Sequence, residues 1–196
     1  MPKNLPYKVF ILGDSQVGKT CFLIRYLDDS FNSSSLATIG MDYRLKNVER
    51  EDGSKIKLHL WDTCGQERFK SIPKMFVKGA HAIILMFSLT DKNSFNSIRD
   101  WIKKIKEDAN ERILIILVGN KNDLGLERQI NKEESEKLAK ECNTKYYECS
   151  AKTGDNINFI FNDLIEQMVK KTDKFKENKT KLSKEKLTTK KGNSCC

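Results

Sequence analysis

Gly13-Asp14-Ser15-Gln16-Val17-Gly18-Lys19-Thr20 matches the pattern G-x-x-x-x-G-K-[ST] in full. The chemistry such a loop does is anion binding. Its backbone N–H groups and the positive end of a following helix converge on one place, where the negative charge of a triphosphate can sit. Lys19 can then reach the β and γ phosphates, and the Thr20 hydroxyl can ligate Mg²⁺. A second string, Trp61-Asp62-Thr63-Cys64-Gly65-Gln66, brings a carboxylate for the metal and a glycine whose N–H can meet a γ phosphate. Two more speak to the base. In Asn120-Lys121-Asn122-Asp123, Asp123 offers two acceptors spaced for the N1 and exocyclic amino hydrogens of guanine, a donor pair that adenine lacks. Lys121 can lie along the ring, Asn120 can tie its loop to others, and Ser150-Ala151-Lys152 can present a backbone N–H to the guanine O6.

These strings need elements to hold them, and the pattern supplies them. Tyr7 to Leu12 is apolar and β-branched enough for a buried strand, and Thr20 to Leu27 has helical apolar spacing, so the first loop lies between strand and helix. Ile39–Glu49 and Lys55–Asp62 read as strands joined by Arg50-Glu51-Asp52-Gly53-Ser54, whose Asp-Gly signals an antiparallel hairpin. His81–Phe87, Ile113–Gly119 and Lys145–Cys149 are further strands, each followed by a helical pattern: Asn93–Asp108, Lys132–Cys142 and Ile157–Val169. With an irregular helix over Gly65–Lys78, the expectation is an α/β fold of six strands and five helices. Its sheet is mostly parallel, with one antiparallel edge strand and helices on both faces. All four strings then fall at strand carboxyl ends, where such sheets bind ligands.

The 196 residues suit one domain, over 1–171, and a tail, over 172–196. The charge of +9 is unevenly placed: residues 170–196 hold ten Lys against Asp173, Glu177 and Glu185, so the body is nearly neutral. That distribution argues for an anionic membrane surface and against nucleic acid as the partner. From Thr172 onward apolar residues are sparse and Lys dominates, which reads as disordered, while the helix-compatible composition leaves open that the last helix runs a few residues further. No apolar leader and no run of 18 apolar residues occurs, and the six cysteines form no C-x-x-C pair. A cytosolic chain with reduced body thiols is therefore expected. No internal repeat is found.

In this order, at these strand ends, the strings resemble the Ras-like small GTPases, and within them the Rab family. Leu36-Ala37-Thr38-Ile39-Gly40-Met41-Asp42-Tyr43 is similar to the Rab switch I signature, and Trp61 to Phe69 to that of switch II. The resemblance covers about residues 6–170 and implies a P-loop NTPase G domain. It implies a GTPase that cycles between GTP and GDP with Mg²⁺ and directs vesicle traffic and protein transport. By residue-level carry-over, Ser15, Gln16, Val17, Gly18, Lys19 and Cys21 line the phosphates. Thr20 and Thr38 ligate the metal, Asp62 holds it through a water, Gly65 senses the γ phosphate, and Phe31 covers the guanine. Gln66 orients the attacking water, with Lys19 beside it as the second catalytic residue.

The end, Gly192-Asn193-Ser194-Cys195-Cys196, is similar to the Rab double-cysteine prenylation site. Lipid on Cys195 and Cys196 beside the polybasic tail implies anchoring on the cytoplasmic face of intracellular or plasma membranes, with a cytosolic pool. The partners implied are an exchange factor, a GTPase-activating protein, a GDP dissociation inhibitor, the Rab escort protein and effectors. Departures from the family pattern lie at Cys64, Tyr43, Phe76 to Ala80 and Phe87 to Thr90, near partner-reading surfaces. Two other classes fit the residues less well. A P-loop ATPase or small-molecule kinase has no use for Asp123, and a non-hydrolysing scaffold has no use for Gln66.

Overall fold

The computed structural model describes residues 6–32, 41–63, 79–108 and 113–189, with side chains through residue 107 in the third span and 173 in the last. In chain order the elements are β1 (Tyr7–Leu12), α1 (Lys19–Asp28), β2 (Met41–Glu49), β3 (Lys55–Thr63), β4 (Ala82–Ser88), α2 (Lys92–Asn96) and α3 (Ile98–Asp108). There follow β5 (Leu114–Asn120), a 3-10 turn (Gly125–Glu127), α4 (Lys132–Cys142), β6 (Lys145–Glu148) and α5 (Ile157–Thr189). The six strands form one sheet in the order β2-β3-β1-β4-β5-β6. Only β2 and β3 run antiparallel, with Glu49 opposite Lys55 across the Asp-Gly turn; every other pairing is parallel. The expected architecture is present.

Burial explains which sequences became which strands. β4 is buried along its whole length and β1 and β5 over their last residues, so their apolar runs are unbroken, because both faces are covered. β2 sits at the edge with most of its side chains exposed, and β3 alternates, sending Ile56, Leu58 and Leu60 inward. On one face α1 and α5 cover the sheet. There Tyr26 stacks on Phe161 with ring centroids 3.5 Å apart, and Phe161 also meets Phe22. Truncating Phe161, fully buried, would cost about 3–5 kcal/mol by leaving a cavity between the two helices. On the other face Phe10, Phe87, Trp101 and Leu138 join β1, β4, α3 and α4.

Two helix boundaries differ from the sequence expectation. The single helix expected over Asn93–Asp108 is broken at Ser97 into α2 and α3. Ser97 Oγ donates to the Asn93 carbonyl at 3.0 Å, the back-bonding to residue i−4 that competes with a regular helical ladder. At the other end, α5 does not stop at Val169, and the chain is helical to Thr189 where a disordered tail was expected from Thr172. Lys, Glu and Leu are good helix formers, and neither Gly nor Pro interrupts the sequence before Gly192. α4 has its expected bounds and starts at a capping box between Asn131 and Glu134. The helix expected over Gly65–Lys78 lies outside the described residues. No helix among the described residues is long and apolar enough to cross a membrane.

Candidate functional site

The carboxyl ends of β1, β3, β5 and β6 bring the four strings together. After β1 the chain turns at Gly13, whose φ of 140° and closeness to β4 leave no room for a side chain: a Cβ there would lie 2.1 Å from the Met86 carbonyl oxygen. The loop ends at Gly18, which caps α1 in the left-handed region without a side-chain hydrogen bond, so the positive end of α1 faces the loop. A Cβ on Gly18 would lie 2.4 Å from Asn120 Nδ2. Gln16 also takes a positive φ, and Val17 is fully buried. Lys19, 5% exposed, folds back over the loop and donates to the carbonyls of Gly13 at 2.9 Å and Asp14 at 2.7 Å. A buried ammonium needs such partners, and these hold it above the loop's backbone.

On the β3 side, Thr20 Oγ1 donates to Asp62 Oδ2 at 2.6 Å. Thr63 Oγ1 donates to the Ile11 carbonyl at 2.8 Å and so fixes the end of β3 to β1. Asp62 is almost fully buried, and burial pushes its carboxyl above the usual range against the opposing pull of Thr20 and Lys19. Its second oxygen, Oδ1, is buried with no hydrogen-bond partner among the described residues. No cluster of three or more His, Cys, Asp or Glu exists among those residues. A hydroxyl beside one carboxylate suits Mg²⁺, which keeps waters and takes phosphate oxygens as further ligands.

Asn120 joins the phosphate side to the base side. It is 1% exposed; its Nδ2 donates to the Val17 carbonyl at 2.8 Å, and its Oδ1 accepts from the Ala151 N–H at 3.1 Å and from Cys149 Sγ at 3.6 Å. One side chain thus ties the phosphate loop to the Ser150-Ala151-Lys152 loop. Ser150 Oγ donates to Asp123 Oδ1 at 2.6 Å and accepts from the Lys152 and Thr153 N–H groups, so the Asp123 carboxylate is held while its residue stays exposed. Lys121 has a φ of 69°, and the Asn122 N–H donates to the Cys149 carbonyl at 3.1 Å. Ser15 lies within the loop, Cys21 within the first turn of α1, and Phe31 stands exposed just past α1. Thr38, Cys64, Gly65, Gln66, Cys195 and Cys196 lie outside the described residues.

Three positioning residues escaped the sequence reading. From α1, Arg25 Nε donates to the Ala151 carbonyl at 3.0 Å and Arg25 Nη2 to that of Lys152 at 2.6 Å. From α3, Trp101 Nε1 donates to Asp14 Oδ1 at 2.7 Å. Arg128 makes two bonds to Glu148, at 2.6 and 2.9 Å, joining the segment after Asp123 to β6. Burial opposes ionisation of Glu148, but the bonds from Arg128 and Tyr146 outweigh it and hold the carboxyl below its usual range. None of these residues belongs to a motif, and each partner is distant in the sequence. Tyr43, a departure from the family pattern, lies on the exposed edge, where its hydroxyl meets His59 Nδ1 at 2.8 Å and its ring tilts against Trp61.

The model of the Ras family matches residues 8–170. Ras-related protein Rab-13 of Rattus norvegicus is 43% identical over 166 residues, 85% of this chain and 81% of its own. Ras-related protein SEC4 of Saccharomyces cerevisiae is 43% identical over 85% of this chain and 76% of its own length. Ras-related protein Rab-8A of Pongo abelii is 42% identical over 168 residues, 86% of this chain and 81% of its own.

Proposed function

The chain belongs to the Ras family, as a Rab-type small GTPase, and from that premise we propose that its site binds GTP and GDP with Mg²⁺ and acts as a membrane-anchored switch in vesicle-mediated transport. It is a GTP-hydrolysing enzyme. The observation that carries the site assignment is the Asn120 clamp, which fixes the phosphate loop and the guanine-reading loops in one rigid frame.

Within that frame Lys19, held by the Gly13 and Asp14 carbonyls, meets the β and γ phosphates. Backbone groups of Ser15, Gln16, Val17, Gly18 and Cys21 surround the phosphates; Asn120, Lys121, Asp123, Ser150, Ala151, Lys152 and Phe31 surround the guanine. Thr20 and Asp62 hold the cation, the orphaned Asp62 Oδ1 fitting a bound water or the ion's shell, with Thr38 completing the set. Mg²⁺ supplies neutralisation of charge on the β and γ oxygens. Gln66 positions the water that attacks the γ phosphate, and Gly65 registers the phosphate's presence.

The loop from Gly13 to Thr20 contains no Arg, so charge developing in transfer is incompletely matched and turnover alone is slow. A GTPase-activating protein supplies the missing groups in trans. An exchange factor, a GDP dissociation inhibitor, the Rab escort protein and effectors complete the cycle, and prenylated Cys195 and Cys196 hold the chain on the cytoplasmic face of membranes. Single-turnover release of labelled phosphate tests the assignment. The wild-type chain should release it slowly, and Gln66→Leu should bind GTP with unchanged affinity while losing most of that release. Release from Gln66→Leu at the wild-type rate would remove Gln66 from the reaction.

A further inference from the structure

Asp14 adds a carboxylate to the loop proposed to cradle phosphates. Its carboxylate is held by α3: the indole of Trp101, 8% exposed, donates to Asp14 Oδ1 at 2.7 Å. The same residue's main-chain carbonyl accepts from Lys19 Nζ at 2.7 Å. Trp101, Asp14 and Lys19 therefore form one chain of contacts running from α3, through a single loop residue, to the ammonium that meets the phosphates. Trp101 is anchored independently in the core packed between β1, β4, α3 and α4, so it presents its N–H from a rigid support.

We propose that Trp101 is a positioning residue for nucleotide retention: its indole N–H fixes the Asp14 side chain, which holds peptide 14 with its carbonyl toward Lys19 and keeps the carboxylate turned to α3. This rests on the nucleotide-binding assignment above. This partly buried hydrogen bond restrains the Asp14 side chain, and its loss leaves peptide 14 free to turn. The loop is then less pre-organised for phosphate. Release of nucleotide accelerates, and more for the triphosphate, whose extra charge feels both a displaced Lys19 and an untethered carboxylate.

Dissociation rates of fluorescent GDP and of a non-hydrolysable fluorescent GTP analogue, measured on the full chain with Mg²⁺, test this. Trp101→Phe keeps the ring in the core but removes the N–H, and Asp14→Ala removes the acceptor. Each should speed release by about tenfold, and Trp101→Phe, which leaves the untethered carboxylate in place, should act more strongly on the triphosphate than on the diphosphate. The double variant should be no faster than either single one, and Asp14→Asn, which retains an acceptor oxygen for the indole, should stay within about twofold of wild type. Multiplying effects in the double variant, or equal acceleration of diphosphate and triphosphate by Trp101→Phe, would mean that Trp101 acts through packing alone and would overturn the proposal. Absence of any guanine-nucleotide binding by the wild-type chain would instead defeat the nucleotide assignment itself, and the proposal with it.

Discussion

Thr20 Oγ1 donates to Asp62 Oδ2 at 2.6 Å although 42 residues separate them in the chain, and Asp62 is nearly fully buried. A hydroxyl from the start of α1 and a carboxylate from the end of β3 meet only because β1 and β3 are parallel neighbours, with Ile11 opposite Asp62. Under the proposed function, their contact marks the side of the site that would hold the cation.

Because burial raises the Asp62 carboxyl, its sign is that of a group favoured in its neutral form. In nucleotide-free protein with chelator, stability from this group is present at acid pH and is lost as pH rises above the ordinary aspartate range. Asp62→Asn removes that loss and should stabilise the metal-free protein near pH 7, while weakening the Mg²⁺ dependence of GDP affinity. Thermal melts from pH 5 to 8, with chelator and with Mg²⁺, check both; parallel pH profiles for variant and wild type would contradict the assignment.

Asn120→Ala breaks the bonds to Val17, Ala151 and Cys149 together. The phosphate and guanine loops then move independently, so GDP affinity should fall about 10- to 100-fold, with a loss of stability of about 2 kcal/mol even without nucleotide. Titration calorimetry and denaturant unfolding measure the two effects separately. Unchanged GDP affinity would show that the clamp does not pre-organise the site.

Much of this was legible because motif residues sit at strand ends, where backbone and charge determine their use. The Gly13 and Gly18 positions, the hairpin at Asp52-Gly53 and the bounds of α4 all follow from local chemistry. What was not legible depends on partners far along the chain. Arg25 and Trp101 are ordinary helix residues until the fold places Ala151 beside one and Asp14 beside the other. The break at Ser97 was hidden for the opposite reason, since it turns on which way one hydroxyl points. The run of α5 to Thr189 uses lysines that serve both readings of this stretch, since they are charged and are also good helix formers.

The tail carries its own prediction. Deleting Cys195 and Cys196 should release the chain from cell membranes, because polybasic attraction of about 1 kcal/mol per Lys is screened by salt and does not anchor durably. Replacing Lys184, Lys186, Lys190 and Lys191 with Gln should leave the chain membrane-bound but redistribute it. Fractionation with a high-salt wash checks this, and a deletion variant that stays in the membrane pellet contradicts lipid anchoring.

Guanine recognition through Asp123 is the claim on which the rest depends. Its Oδ1 already accepts from Ser150 Oγ, and a carboxylate retains the capacity to accept the two guanine hydrogens as well. Competition of labelled GDP by unlabelled GTP, ATP and xanthosine triphosphate, on wild type and Asp123→Asn, tests it most directly. Wild type should be displaced by GTP and not by ATP. Asp123→Asn should lose about 1–3 kcal/mol of GTP affinity and gain preference for the xanthine nucleotide, whose second carbonyl matches the new amide donor. Equal GTP affinity in the two proteins, or displacement from wild type by ATP, would contradict the account.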